Sequence, residues 1–251
     1  MNNLVLRVAF LLCLIPTITA AGSWDIQFAE PFALDRKVAM MDLDLDSVPA
    51  DTIRTLTAQG VQVICYVSVG TAETYRADYT DFPKAVVGKN WPDWPDEYFL
   101  DIRQIDVLLP IMQARFQRCK DAGAVGIDPD NQDQQWAGGG FKITKADAVA
   151  YMKALAQVAH GMGLTIGQKN NTDTLRELVG TLDFIVTEDC YQDGWCAEAA
   201  PYAAAGKPVY AIEYTDYLQD WPGACAEAAK LGLSMILKDR DLNGAAFKAC
   251  P

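Results

Sequence analysis

The sequence predicts an α/β protein, a single-domain (β/α)8 TIM barrel. Eight short apolar runs, mostly separated by helix-patterned segments, are spread over 251 residues, about the length this architecture needs. Six of the eight runs end in a charged or amide cluster. In a barrel the carboxyl ends of all strands open onto one face, so such clusters would converge there. No repeat, low-complexity tract or linker divides the chain. Asp42-Leu43-Asp44, which ends the first run, is nothing like the glycine-rich phosphate loop of a doubly wound open sheet.

Residues 1–21 read as a secretory signal. Arg7 precedes the apolar run Val8–Ile15, and Thr17-Ile18-Thr19-Ala20-Ala21 offers small residues for cleavage. The run is short for a bilayer span, and no second such segment follows. Residues 22–251 are then the barrel domain. Trp24-Asp25-Ile26-Gln27-Phe28 is a short apolar lead-in. Val38–Asp44 is the first strand, and the period of two puts Asp42 and Asp44 on one face. Ser47 and Pro49 read as the N-cap and early proline of a helix that Gly60 stops. Val61–Val69 is the second strand, with Tyr66 and Ser68 on one face and Cys65 and Val67 on the other. Gly70–Glu97 is long for a connection. Its Tyr75, Tyr79, Phe82, Trp91 and Trp94 make it either a lid or sugar-stacking platform, or a surface subdomain packing its own aromatics.

Tyr98–Ile102 is the third strand, ending near Asp101 and Arg103. Leu108, Ile111, Met112, Phe116 and Cys119 are spaced for a helix that Gly123 stops. Ala124-Val125-Gly126-Ile127 is the fourth strand. It runs into Asp128-Pro129-Asp130-Asn131, and Pro129 lacks an N–H, so the strand is expected to stop there. Thr144-x-x-Asp147 is a capping-box pattern opening a helix through Tyr151, Met152 and Leu155. His160, near that helix's end, reads as a partner of the helix dipole rather than a catalyst. Four more strands follow. Leu164–Gly167 leads to Gln168-Lys169-Asn170, and Phe184–Thr187 to Glu188-Asp189-Cys190. Pro208–Ile212 leads to Glu213-Tyr214, and Leu233–Leu237 to Lys238-Asp239-Arg240. Helices around Leu175–Val179, before Gly206 and before Gly232 separate them.

The chain carries 33 acidic against 21 basic residues, a net charge of −12. Setting Arg7 aside with the signal makes it more acidic still. No basic stripe is available for phosphates, which argues against nucleic acid and against a membrane surface as partner. A cationic ligand is compatible, as is a negative surface that merely keeps an exported protein soluble. Without Cys13, an even set of cysteines remains, which in an exported chain reads as disulfides. Cys190–Cys196 would close a short loop. Cys225–Cys250 would tie down the chain's end. Cys65–Cys119 would join a strand's outer face to a neighbouring helix. Zinc is the rival reading, but no C-x-x-C pair occurs and His160 is the only histidine. No metal or other cofactor is expected.

The strand ends supply Asp128, Asp130, Glu188, Asp189 and Glu213. Two carboxyl groups facing each other across a cleft are the usual equipment for cleaving a glycosidic bond. One protonates the leaving oxygen, and the other attacks the sugar carbon or activates water. Close carboxylates also push each other's pKa apart, which keeps one protonated. Some of these acids will pair instead with Lys169, Arg103, Lys238 or Arg240. Other chemistries lack their signatures. There is no G-x-S-x-G nucleophile turn, P-loop or dinucleotide fingerprint. The Asp128-Pro129-Asp130 run has Asp133 and Gly139 where a calcium loop needs glycine and glutamate.

Val63-Ile64-Cys65-Tyr66-Val67-Ser68-Val69-Gly70, Phe99-Leu100-Asp101-Ile102-Arg103, Gly126-Ile127-Asp128-Pro129-Asp130-Asn131, Gly167-Gln168-Lys169-Asn170, Thr187-Glu188-Asp189-Cys190 and Ala211-Ile212-Glu213-Tyr214 resemble, in order, glycoside hydrolase family 114. This is the endo-α-1,4-polygalactosaminidase family. Where the family usually shows N-E-Q-C, this chain has Thr187-Glu188-Asp189-Cys190, which keeps the glutamate and the cysteine. The resemblance implies a TIM-barrel enzyme that cuts within α-1,4-linked galactosamine. It maps the catalytic pair to Asp128, as nucleophile or charge stabiliser, and Glu188, as general acid/base. Asp130 is the alternative to Asp128. Asp42, Asp44, Tyr66, Asp101, Asp130, Lys169, Asn170, Glu213 and Tyr214 become candidates for binding substrate. The expected partner is a cationic or amino-sugar polysaccharide, met after secretion, outside the cell or in the periplasm, by a monomer. Two alternatives stand beside this: a sugar-binding protein without catalysis, and a hydrolase of another amino sugar or a neutral α-glycan.

Overall fold

The computed structural model describes residues 22–251, so the expected signal at residues 1–21 lies outside the described residues. In chain order, β1 (Trp24–Gln27) and β2 (Met40–Leu43) precede α1 (Thr52–Ala58) and β3 (Gln62–Ser68). An inset follows, made of β4 (Thr71–Glu73), β5 (Val87–Trp91) and β6 (Trp94–Leu100). Then come α2 (Ile105–Ala122), β7 (Gly126–Asp130), α3 (Gln134–Ala137), α4 (Lys145–Gly161) and β8 (Thr165–Lys169). The chain continues through α5 (Leu175–Leu178), β9 (Phe184–Glu188), α6 (Ala200–Ala204) and β10 (Val209–Tyr214). It ends in α7 (Trp221–Leu231), β11 (Ser234–Lys238) and β12 (Lys248–Ala249).

Nine strands form one curled sheet in the order β1-β2-β3-β7-β8-β9-β10-β11-β12. All neighbours are parallel except β12, which lies antiparallel to β11. Among the described residues no ladder joins β11 to β1. Side chains bridge them instead. Trp24 Nε1 donates to the Ser234 carbonyl at 2.9 Å, and the Ser234 hydroxyl donates to the Gly22 carbonyl at 3.2 Å. The Lys238 ammonium donates to Asp25 at 2.8 Å.

Strand alternation sorts the apolar residues into two layers. Trp24, Ile26, Met40, Ile64, Phe184, Tyr210 and Ile236 pack together on the concave face. Met41, Cys65, Val67, Ile127, Ile166 and Ile185 point the other way and pack with Leu108, Met112, Phe116 and Leu155 of the helices. The concave cluster fills the sheet's interior, so polar residues of that face collect at the strand ends.

The expected disulfides are all present, Cys65–Cys119, Cys190–Cys196 and Cys225–Cys250, the first tying β3 to α2. The Thr144/Asp147 capping box opens α4, and Gly123 and Gly232 close α2 and α7 in left-handed conformation. His160 bonds Asp183 at 2.9 Å at the end of α4.

Four expectations are corrected. The lead-in is itself a strand of the sheet, β1. Its pattern was masked because Asp25 and Gln27 are polar yet fully buried, satisfied by Arg36, Lys238 and the Ala33 N–H. Tyr98–Ile102 is not in that sheet, since β6 pairs with β4 and β5 in an antiparallel three-stranded sheet. The Trp91↔Trp94 pair closes a tight turn over Pro92-Asp93, and local closure is cheaper in entropy than a long crossover. Helix α1 begins after Asp51, not at Ser47, whose hydroxyl donates to Asp44 instead. Pro129 lies within β7, paired with Val67. The ladder between β7 and β8 spans only Gly126↔Thr165 and Ile127↔Ile166, so Pro129 sits where the strand is bonded to β3 alone.

Candidate active site

The period of two carries Gly126, Asp128 and Asp130 onto one face of β7 at increasing height. Asp128 is fully buried, while Asp130, at the strand's last residue, keeps 23% of its side chain exposed. Lys169 ends β8 and Glu188 ends β9 on the same face, with 3% and 27% of their side chains exposed. The Lys169 ammonium lies 3.2 Å from Asp128 Oδ2, 3.8 Å from Asp130 Oδ1 and 3.8 Å from Glu188 Oε2. The facing oxygens of Asp130 and Glu188 are therefore no more than twice that last distance apart.

Each of these two carboxylates is held by further donors. The Tyr66 hydroxyl donates to Asp130 Oδ2 at 3.1 Å. The Tyr214 hydroxyl donates to Glu188 Oε1 at 2.5 Å, and Asn170 Nδ2 donates to Oε2 at 2.9 Å. Asn170 Oδ1 accepts the Glu188 N–H at 2.8 Å, so one amide clamps both ends of the residue. Burial alone would push the Glu188 carboxyl up. The Lys169 charge and the Tyr214 and Asn170 hydrogen bonds outweigh it and hold the carboxyl below its usual range. Burial opposes the Lys169 charge too, but Asp128, Asp130 and Glu188 together keep it protonated.

The residues just past these strand ends turn sharply. Asn131, Asn170 and Asp189 have φ of 61°, 46° and 52°, the left-handed region that Asn and Asp tolerate best. Gly70 is required for a related reason: a Cβ there would overlap the Asn131 carbonyl oxygen. The turn after β3 and the turn after β7 thus meet backbone to backbone beside Asp130.

A cleft of about 920 Å³ opens above Asp130 and Glu188. One wall is aromatic, with Tyr75, Trp91 and Trp94 from the inset. The lining acids include Asp44, Asp96, Glu97, Asp130, Asp133 and Glu188. Glu97 is pushed up to about 7, chiefly by burial and by the nearby charges of Glu73 and Asp130. Asp133 is pushed up to about 6 by burial and the Asp130 charge. The lining cations are already engaged. Arg76 grips Asp44 at 2.7 and 2.8 Å and also Asp46 and Glu73. Arg240 bonds Asp189 and Asp216 and stacks over the Tyr214 ring at 4.3 Å.

The structure brings Asp44, Tyr66, Asp130, Lys169, Asn170, Glu188 and Tyr214 to the cleft. Four expected residues stand elsewhere. Asp42 and Asp128 lie beneath the cleft floor with no exposed surface, so neither can touch a ligand in this arrangement. Asp101 ends the inset rather than a strand of the main sheet, and Arg103 takes its carboxylate at 2.6 and 2.8 Å. Glu213 alternates to the outer face of β10, where it accepts the backbone N–H groups of Tyr191 and Gln192. Burial pushes it up to about 7. The sequence reading missed Glu97, Arg76 and Leu242 as lining residues. Glu97 and Arg76 sit in the stretch read only for its aromatics. Leu242, at φ 50°, carries no composition signal.

The model of glycoside hydrolase family GH114 matches residues 14–250. Among solved structures, the chain is similar to the crystal structure of Aspergillus fumigatus Ega3 in complex with galactosamine. Identity there is 30% and the TM-score 0.85, covering 92% of this chain and 96% of that one. It shares a fold with the glycoside hydrolase domain of PelA from Pseudomonas aeruginosa. That match has 17% identity and a TM-score of 0.67, covering 90% of this chain and 98% of that one. An uncharacterized protein of Deinococcus radiodurans is 25% identical over 264 residues, 91% of this chain and 83% of that protein.

Proposed function

The chain belongs to glycoside hydrolase family GH114, and on that premise we propose that it is an exported, endo-acting hydrolase of α-1,4-linked galactosamine polysaccharide. The reading rests on one observation above all: Asp130 and Glu188 face one cleft on either side of a buried ammonium. Two carboxylates so placed are what glycosidic cleavage requires. The exposure of Asp130 beside the full burial of Asp128 favours Asp130 over Asp128 for the first catalytic role. Asp130 attacks or stabilises the sugar carbon, and Glu188 protonates the leaving oxygen and later activates water. Lys169 offsets the mutual repulsion of the two carboxylates, and Tyr66, Asn170 and Tyr214 fix their orientation.

The substrate class follows from the lining. The cleft's volume is at the upper end for small-ligand sites, room for more than one sugar ring. Its acids outnumber its cations, and those cations are engaged. An amino sugar carrying a free ammonium complements such a wall, and the aromatic side offers ring faces for stacking. The galactosamine bound by the Aspergillus fumigatus protein supports the same sugar here. The three disulfides support export. The bridged β11–β1 edge supports reading the curled sheet as a (β/α)8 barrel.

Mass spectrometry after incubation with partly deacetylated galactosaminogalactan tests the activity. Wild-type protein should release short galactosamine-containing fragments. Asp130→Asn and Glu188→Gln should each reduce release by roughly a thousandfold or more. Undiminished cleavage by either variant removes that residue from the pair, and intact polymer with wild type removes the substrate.

A further inference from the structure

Beneath the cleft floor lies a polar layer that touches no ligand. Asp42 comes from β2 and Asp128 from β7, with one strand, β3, between them. Both have no exposed surface. Neither oxygen of Asp42 has a hydrogen-bond donor, and Asp128 Oδ1 has none either. Asp128 Oδ2 is met by Lys169 at 3.2 Å. The register sets Asp42 level with Ile64 and with Gly126, which has no side chain, and Asp128 follows two residues on along the same face, so the two carboxyls adjoin.

Two ionised carboxylates cannot rest together in such a place. A buried charge without a donor is costly, and two like charges in contact more so. Lys169 supplies one positive charge and is shared with Asp130 and Glu188. One proton between Asp42 and Asp128 removes the conflict, since it turns two facing acceptors into a donor and an acceptor.

We propose that Asp42 is a neutral carboxylic acid that donates its proton in a hydrogen bond to Asp128, and that this pair positions Lys169 between the two catalytic carboxylates. The proton sits on Asp42 because Asp128 alone has the ammonium against it. Burial and the charges of Asp128 and Asp130 push Asp42 well up, against the opposing pull of Lys169. The other ionisable groups facing this layer are Tyr66, beside Asp128 in register on β3, and Glu188 on β9 and Tyr214 on β10, both near Lys169. Asp42 is thus a positioning residue acting through Asp128 and Lys169. This role rests on the reading of Asp130 and Glu188 as the pair, whereas the shared proton does not.

Two measurements separate these. The first is infrared difference spectroscopy of the wild-type protein against Asp42→Asn at neutral pH. It should show a protonated-carboxyl band that the variant lacks. Its absence overturns the shared proton, whether or not the protein cleaves any polymer. The second compares Asp42→Asn with Asp42→Leu, each checked for folding by its melting temperature. The amide can still donate to Asp128, so Asn should stay within about threefold of wild type. Leucine leaves Lys169 as the one donor to Asp128, so kcat should fall on the order of tenfold or more with KM little changed. The acid limb of its pH profile should move upward. Equal damage by Asn and Leu, or no damage by Leu, overturns the positioning role.

Discussion

At the scale of single residues, Glu188 carries the sharpest consequence. Its carboxyl is held below the usual range in the free protein by Lys169, Tyr214 and Asn170. A general acid must hold its proton when substrate arrives, and kcat/KM reports the free enzyme. The sign follows. As pH rises through a depressed pKa, the protonated fraction falls, so kcat/KM should decline through the acidic range rather than hold to neutrality. Replacing Tyr214 by Phe removes one stabiliser of the anion. The Glu188 pKa should then rise, and the alkaline limb of the kcat/KM profile should shift upward by about one pH unit. A profile that instead climbs towards neutral pH would give Glu188 the nucleophile's part. The resemblance put both Glu213 and Tyr214 forward from the sequence, and the period of two in Ile212-Glu213-Tyr214 turns them to opposite faces. The same alternation sends Glu213 to the outer face, so one strand end supplies one site residue and one structural acid.

At the scale of elements, the inset β4–β6 shapes the cleft, and α2 holds it down. Arg115 of α2 is almost fully buried. It donates to Asp78 at 2.7 and 2.8 Å and to the Ser68 carbonyl at 2.9 Å, pinning the inset to the end of β3. Arg115→Met leaves those acceptors unpaired, and unfolding in denaturant should show a loss of about 3 kcal/mol. The loss has a pH signature. The Arg115 guanidinium helps hold the Asp78 carboxyl below its usual range against burial. The pair's contribution is therefore present above the ordinary carboxylate pKa and lost as pH falls through the lowered one. The difference between wild type and variant should shrink on acidification. Trp94 is 58% exposed at the cleft's edge, a large apolar surface outside both hydrophobic clusters. Trp94→Ala should raise KM for long polymer several-fold and leave melting unchanged, as expected of a stacking platform. The inset was legible as a functional stretch but not as a sheet. Its pairing depends on the turn over Pro92-Asp93 and on a bulged register between β5 and β6, neither of which leaves a hydrophobic period.

At the scale of the whole molecule, much of the plan could be read from sequence because buried parallel strands are continuous apolar runs and their ends are not. The same rule failed for β1, where buried Asp25 is neutralised by nearby Arg36 and by Lys238 from the far end of the chain, and Gln27 is satisfied by Asp25 and Ala33. It also placed Asp128 and Asp130 at one strand end, where the resemblance put Asp128 first, because height within the curled sheet's interior is a property of the folded arrangement. Net charge is the one global quantity fully legible beforehand. At −12, with the cleft's cations engaged by acids, the field over the mouth is negative. A polymer of ammonium sugars approaching it is steered, and steering is screened over a Debye length of about 10 Å at 0.1 M salt and about 3 Å at 1 M. For fully deacetylated polymer, kcat/KM should therefore fall on the order of tenfold between low salt and 1 M. For acetylated polymer, whose amides carry no charge, it should start lower and barely respond. Salt curves of the same slope for both polymers would show that the acidic surface serves solubility alone, and that the cleft selects its sugar through contacts rather than through charge.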